Sequence, residues 1–311
     1  MGLKIKVTTS NPELSGLLLR QTTGRQGVWK HCQFYVDRHV DACDWWFVCH
    51  NSALMQEQSA ICDPNHIVFI SMEPYEQQPQ SFYDQFAHVV ACDLSLRHRS
   101  ILRGNGLSWW AGINVDFQQG HSFLPHTQHD YDSFNSSKIP PFKNDQISII
   151  TSNKCFFPGH QRRLAFIHRL MNSPLSNYID LYGGGYRPIP DKLDALLSYK
   201  YHIVLENSEI LDYWTEKLAD AFLGYCLPFY HGCPNINDYF PENSYVPINI
   251  ESNSAMIVIE KALKSNLYDK RLEAISIARN LVLNDFNLFE VMTSIATRPA
   301  SFLQRCTLRR C

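Results

Sequence analysis

No uninterrupted apolar run of about 18 residues occurs in the chain, so the sequence predicts no transmembrane helix. The start, residues 1–10, lacks the apolar core of a signal peptide and reads as a first β-strand. Nor does the segment after Gly2 place a serine where a myristoylation signal needs one. These features give an expected location in the cytoplasm, with peripheral contact at the inner membrane as the one membrane option. The ten cysteines include no C-x-x-C pair, which argues against a zinc site. Several sit in strand-like runs, such as Cys49 in WWFVCH and Cys92 in VVACD, and are expected to be reduced, buried thiols. There is no excess charge of either sign. A formal net charge of -2 gives no overall attraction to nucleic acid, so any anion site must be local. Internal repeats and low-complexity tracts are also missing.

What is present is a folded composition. Of 311 residues, 45% are hydrophobic and 19% charged, and the length favours two domains. Short apolar runs at residues 3–8, 45–49, 66–71 and 88–92 read as strands covered on both faces. From Gly104 to Lys143 the pattern fades into Gly, Pro, His, Asn and Ser, as expected of loops ending in a linker. A second series follows. Strands are predicted at 145–151, 178–182, 201–205, 227–230 and 244–248, and helices at 161–171, 191–198 and 215–224, with helical segments from about Ser254 on. Strand–helix alternation implies parallel sheets. The expectation is α/β: an N-terminal domain over 1–143 and a C-terminal domain with the last helices over 144–311, with the ligand in a cleft between them.

The chemistry concentrates in Tyr199–Gly232. A buried strand ends in Glu206-Asn207-Ser208, and Thr215 is a good N-cap for a helix that opens with Glu216 and Lys217. A helix N-terminus suits a phosphate. A lysine in the first turn opposes the helix dipole unless an anion binds beside it. A carboxylate such as Glu216 can accept two ribose hydroxyls. The competing reading is a capped helix on a wet face.

The run Glu206-Asn207-Ser208, Asp212-Tyr213-Trp214-Thr215-Glu216-Lys217 and Leu227-Pro228 through Gly232 resembles the signature of the α-1,3/4-fucosyltransferase family, glycosyltransferase family 10. Upstream, Thr151-Ser152-Asn153-Lys154-Cys155 followed by Arg162-Arg163 resembles the family's S-N-C…R element, and Ile179-Asp180-Leu181-Tyr182-Gly183 its V-D-x-Y-G element. The resemblance spans Gln146 to Val246, about a third of the chain. It implies the GT-B fold, two Rossmann-like domains facing across a cleft, with GDP-fucose held by the C-terminal one. By the same resemblance Asn153, Arg162 or Arg163, Glu206, Asn207, Tyr213, Thr215, Glu216 and Lys217 form the donor site, with Arg162 or Arg163 and Lys217 on the diphosphate. The implied acceptor is an oligosaccharide or glycolipid, typically through N-acetylglucosamine in α-1,3 linkage.

Inverting transfer needs a base on the acceptor side. Glu73, just past a strand and before Pro74, resembles the family's E-S-P element with the serine missing; Glu76 is the alternative. No metal or other cofactor is expected to be required, Mn²⁺ or Mg²⁺ being at most stimulatory. Asp130-Tyr131-Asp132 spells a D-x-D, but without a preceding strand it is read as a loop, as are His121, His126 and His129. Gly183–Gly185 suits a phosphate or a tight turn, and Trp109-Trp110 suits sugar stacking or packing. The basic tail, with Arg298, Arg305, Arg309 and Arg310, suits an anionic surface or a solvated terminus. Two other functions stay open: a transferase using another sugar nucleotide, and a non-catalytic glycan- or nucleotide-binding protein.

Overall fold

The structure is a computed structural model and describes residues 2–9, 15–49, 58–74, 78–93, 95–104, 108–116, 122–123 and 129–297. Glu76, His121, His126, Cys306, Cys311 and the arginines from Arg298 on lie outside these residues.

The first sheet has seven strands: β1 (Leu3–Thr9), β2 (Val28–Trp29), β3 (Cys32–Val36), β4 (Trp45–Cys49), β5 (Ile67–Ile70), β6 (His88–Ala91) and β7 (Ile101–Arg103). Their spatial order is β2-β3-β1-β4-β5-β6-β7, and every pair is parallel except β2–β3. The apolar runs explain the middle strands, since β4 is buried along its whole length. The expectation missed β2, β3 and the edge strand β7. β3 alternates buried and half-buried residues, so its polar positions hid a strand with one covered face. Two short helices, α1 (Ser15–Leu19) and α2 (Gln80–Tyr83), connect strands of this sheet.

Beyond the small antiparallel pair β8 (Val115–Asp116) and β9 (Ser122–Phe123), and helix α3 (Tyr131–Ser136), a second sheet begins. Its strands are β10 (Asn144–Ile150), β11 (Ile179–Tyr182), β12 (Tyr199–Leu205), β13 (Leu227–His231) and β14 (Val246–Pro247), all parallel, in the order β11-β10-β12-β13-β14. Helices α4 (Pro158–Met171), α5 (Glu216–Leu223), α6 (Ser254–Lys264) and α7 (Leu267–Leu283) accompany it, and α8 (Leu288–Thr297) follows. The predicted helix at 191–198 is only a 3-10 turn at Lys192–Ala195; β12 already begins at Tyr199, and the Ser198 carbonyl accepts the N–H of Asn144 at the start of β10. The predicted strand at 244–248 shrinks to β14, an edge strand in which Pro247 has no N–H to donate.

Packing divides the chain into two compact units, and the division differs from the expected one at residue 143. Residues up to Ser108, with Asp130–Asp132 and the chain from Asn284, form one; Trp109–His129 and Ser133–Leu283 form the other. The last helix explains part of the difference. Leu288, Phe289 and Met292 of α8 are fully buried in the core of the first sheet, and Phe289 meets Phe34 edge-on at 4.9 Å. The segment read as a linker contributes core as well. Trp109 is buried and packs edge-on against Phe134 at 5.8 Å, which favours the packing reading of that tryptophan.

Lys143 ties the second unit together. Its ammonium donates to the carbonyls of Leu196, Leu197, Tyr199 and Gly224 at 2.7–3.0 Å. Leu196 and Gly224 are the C-caps of the 3-10 turn and of α5, so one cation satisfies carbonyls that the helical segments leave unpaired. Among the described residues all eight cysteines are free, and no helix is long and apolar enough to cross a membrane.

Candidate functional site

The central strand β12 delivers Glu206 and Asn207 at its C-terminal end, where parallel sheets bind ligands. Glu206 is 3% exposed. Its carboxylate accepts the Thr215 backbone N–H at 2.9 Å, the Thr215 hydroxyl at 2.9 Å and the Lys217 ammonium at 3.3 Å. Thr215 in turn caps α5 by accepting the Lys217 N–H at 3.3 Å. Gly232 closes over this carboxylate; a Cβ there would lie 2.5 Å from Glu206 Cγ and 2.6 Å from the Tyr230 hydroxyl. The preceding loop is clamped at Asp212, whose φ of 65° is the left-handed region that glycine prefers. Asp212 donates its N–H to Asn235 Oδ1 at 2.8 Å and accepts from Asn235 Nδ2 and the Tyr239 hydroxyl, each at 2.8 Å. Tyr213 and Trp214 are buried just beyond it.

A second group comes from the start of α4. Pro158 opens the helix, and the N-cap Phe157 supplies no capping side chain. The helix end lies directly against Asn207, since a Cβ on Gly159 would fall 1.8 Å from the Asn207 carbonyl. Arg163, one turn in, is 4% exposed. It donates to Asn207 Oδ1 at 2.5 Å and to the Ser152 carbonyl at 3.1 Å, while its Nε has no partner among the described residues. Burial lowers the Arg163 guanidinium from its ordinary value. Arg162 points elsewhere, towards Glu209 at 4.0 Å and Glu251 at 3.7 Å, with its side chain 44% exposed. Asn153 is exposed; its N–H goes to the Gly184 carbonyl, and its side chain occupies the space a Cβ on Gly185 would need. Gly183 and Gly185 have φ of 111° and 87°, so this run is a tight turn laid against the end of β10.

Between these groups lies a cavity of about 360 Å³. The charged residues lining it are Lys154, Arg163 and Lys217, all cations, with Asn207 and His160 among the polar ones. In a chain of net charge -2 this cavity is a local concentration of positive charge. A smaller pocket of about 150 Å³ shares Lys217 and adds Glu216, Lys192 and Asp220. Here Lys192 pairs with Asp220 at 2.8 Å and Glu216 at 3.5 Å, and Glu216 faces Lys217 at 3.7 Å. Burial raises the Glu216 carboxyl, but Lys217 and Lys192 outweigh it and hold the group down at about 2. Asp220 also accepts the N–H groups of Trp110 and Ala111 at 3.0 and 2.9 Å, which fixes the segment after Trp109.

Sequence reading thus named Arg163, Asn207, Glu216 and Lys217, which converge on adjoining pockets. It left Arg162 and Arg163 equivalent, and the structure brings Arg163 to the cavity. Glu206 and Thr215 lie inside this region with their polar groups engaged with each other. His160, Lys192 and Asp220 were missed, although His160 stands three residues before Arg163 and so on the same helix face. Glu73 belongs to the other compact unit, exposed at the end of β5, with its carbonyl accepting the Ser71 hydroxyl at 2.8 Å. The D-x-D aspartates also have local duties: Asp130 pairs with Arg25 at 2.8 Å and Asp132 accepts the Gly24 N–H at 2.6 Å. Among the described residues, no three His, Cys, Asp or Glu side chains are grouped to hold a metal ion.

Residues 141–266 match the model of glycosyltransferase family 10 (fucosyltransferase), C-terminal part. The alpha-(1,3)-fucosyltransferase 4 of Bos taurus is 28% identical over 165 residues, covering 48% of this chain and 38% of that protein. The alpha-(1,3)-fucosyltransferase FucT of Helicobacter pylori is 32% identical over 115 residues, covering 35% of this chain and 22% of that protein. The chain thus matches well under half the length of either curated relative. A crystal structure of an alpha1,3-fucosyltransferase with GDP-fucose superposes with a TM-score of 0.51 at 15% identity, over 97% of this chain and 92% of that one. The fold is therefore the GT-B α/β fold, and the motif resemblance to the fucosyltransferase family is borne out over its C-terminal part.

Proposed function

We propose that the chain is an inverting fucosyltransferase that moves L-fucose from GDP-fucose to a hydroxyl of a glycan acceptor, N-acetylglucosamine in α-1,3 linkage being the first candidate. The observation that carries this reading is the cavity whose charged lining is wholly cationic, Lys154, Arg163 and Lys217, placed at the C-terminal end of β12 within the segment that matches the family.

In this reading the diphosphate sits between Arg163 and Lys217, against the uncapped start of α4. Glu216, kept ionised by its two lysines, accepts the ribose hydroxyls. The acceptor hydroxyl attacks the anomeric carbon, a carboxylate takes its proton, and the bond to the β-phosphate oxygen breaks. The cations stabilise the negative charge that grows on the departing GDP. No metal is needed for that neutralisation. Glu73 is the proposed base and Glu76 its rival. Glu206 acts from behind, by holding Thr215 and Lys217.

Calorimetry with GDP, GDP-fucose and UDP tests the donor. Binding of the two guanine compounds and not of UDP supports it; no binding of any overturns it. Donor hydrolysis of GDP-fucose against GDP-mannose separates this activity from transfer of another hexose. Loss of transfer in Glu73→Ala with retained GDP binding supports the base, whereas unaffected transfer in both Glu73→Ala and Glu76→Ala removes both candidates.

A further inference from the structure

One group in the cavity has no part in the scheme above. His160 is the third residue of α4, 8% exposed, and its ring lines the cavity with Phe157 5.4 Å away. Its Nδ1 is buried and has no hydrogen-bond partner among the described residues, and the same is true of Arg163 Nε on the same helix face. Unpaired buried polar atoms are costly, and two of them on residues that line one cavity point to a ligand that pairs them. The charged groups that face the ring are Arg163 from α4, Lys154 from the loop after β10, and Lys217 from α5, all positive.

We propose that His160 takes up a proton as a nucleoside diphosphate enters the cavity, and donates a hydrogen bond to it, so that affinity rises as pH falls. This rests on the donor reading above. With the cavity unfilled, burial first, and then Arg163, Lys154 and Lys217, keep the imidazole neutral, below its ordinary value. A bound diphosphate brings more than one negative charge among the same cations and offsets their field at the ring, and a phosphate oxygen hydrogen-bonded to the imidazole favours its protonated form. The proton comes from solvent and returns when the nucleotide leaves. His160 is thereby a binding residue that adds a mobile positive charge to three fixed ones.

The test uses GDP-fucose, because its diphosphate is a diester. The terminal phosphate of GDP itself titrates near pH ~6 and would mask the effect. Calorimetry between about pH 6 and pH 8, in buffers of different ionisation enthalpy, measures proton uptake directly. Wild type is expected to take up as much as one proton, with affinity changing by up to about tenfold per pH unit. His160→Gln is expected to bind with no linked uptake and a flat profile. Equal uptake in wild type and His160→Gln, or none in wild type, overturns the inference and leaves the donor site standing. Failure of wild type to bind at any pH overturns the donor reading and this inference with it. Should His160→Gln fail to fold, the imidazole nitrogen shifts of labelled wild type serve instead: the titration midpoint must move up when GDP-fucose is added, and an unmoved midpoint refutes the proposal.

Discussion

Glu206→Gln separates a positioning role from a donor contact. Glu206 looked from its motif like a donor-binding residue, but its carboxylate accepts three donors inside the protein, the Thr215 N–H and hydroxyl and the Lys217 ammonium. The amide keeps the shape, removes the charge and turns one acceptor into an NH₂ facing Thr215 or Lys217. Breaking a buried pair from one side costs about 3–5 kcal/mol. Lys217 is 27% exposed and water recovers part of that, so the lower end, about 3 kcal/mol, applies. At roughly 2–4 °C per kcal/mol for a unit of this size, the melting temperature should fall by about 6–12 °C. Lys217, with one carboxylate fewer, should hold a diphosphate at least as well as before. Scanning calorimetry and GDP titration on the same sample give both quantities. A variant that melts like wild type but loses GDP affinity would refute the reasoning, because the carboxylate would then be a donor ligand.

Other outcomes follow from the same geometry. Arg163→Lys keeps the charge but loses the fork that spans Asn207 and Ser152, so GDP affinity should drop roughly tenfold, while Arg162→Ala, at the surface, should change it less than about twofold. Lys143→Met strips the shared donor from four carbonyls and should cost about 3–5 kcal/mol in urea unfolding, with the fold lost if the figure exceeds the unit's stability. His202 is buried beside Ser148, and burial, with Lys192 and Lys143 nearby, pulls its imidazole down to about 3. The unfolded chain takes that proton near pH ~6.5, so the contribution of neutral His202 is complete above that value and is lost as pH falls towards about 3, at no more than about 1.4 kcal/mol per pH unit. His202→Asn should flatten this part of the pH–stability curve, and an unchanged slope would reject it.

The sequence alone determined what depends on near neighbours. The buried strands β4, β12 and β13 are short, largely apolar runs, and the start of α5 is announced by Thr215, whose hydroxyl does cap it. The ordered motifs identified the family segment because each lies within about one strand, loop or helix turn. Tertiary structure decided everything that depends on direction and on distant partners. Arg162 and Arg163 are adjacent in the chain but roughly 100° apart around a helix, and only packing against Asn207 chooses between them. Glu206 is committed to a residue nine positions on, Asp220 to backbone far upstream at Trp110, and α8 to the core of the first sheet. Pairings of that kind leave no period or spacing in a sequence, because they are made by side chains that meet only once both sheets have formed.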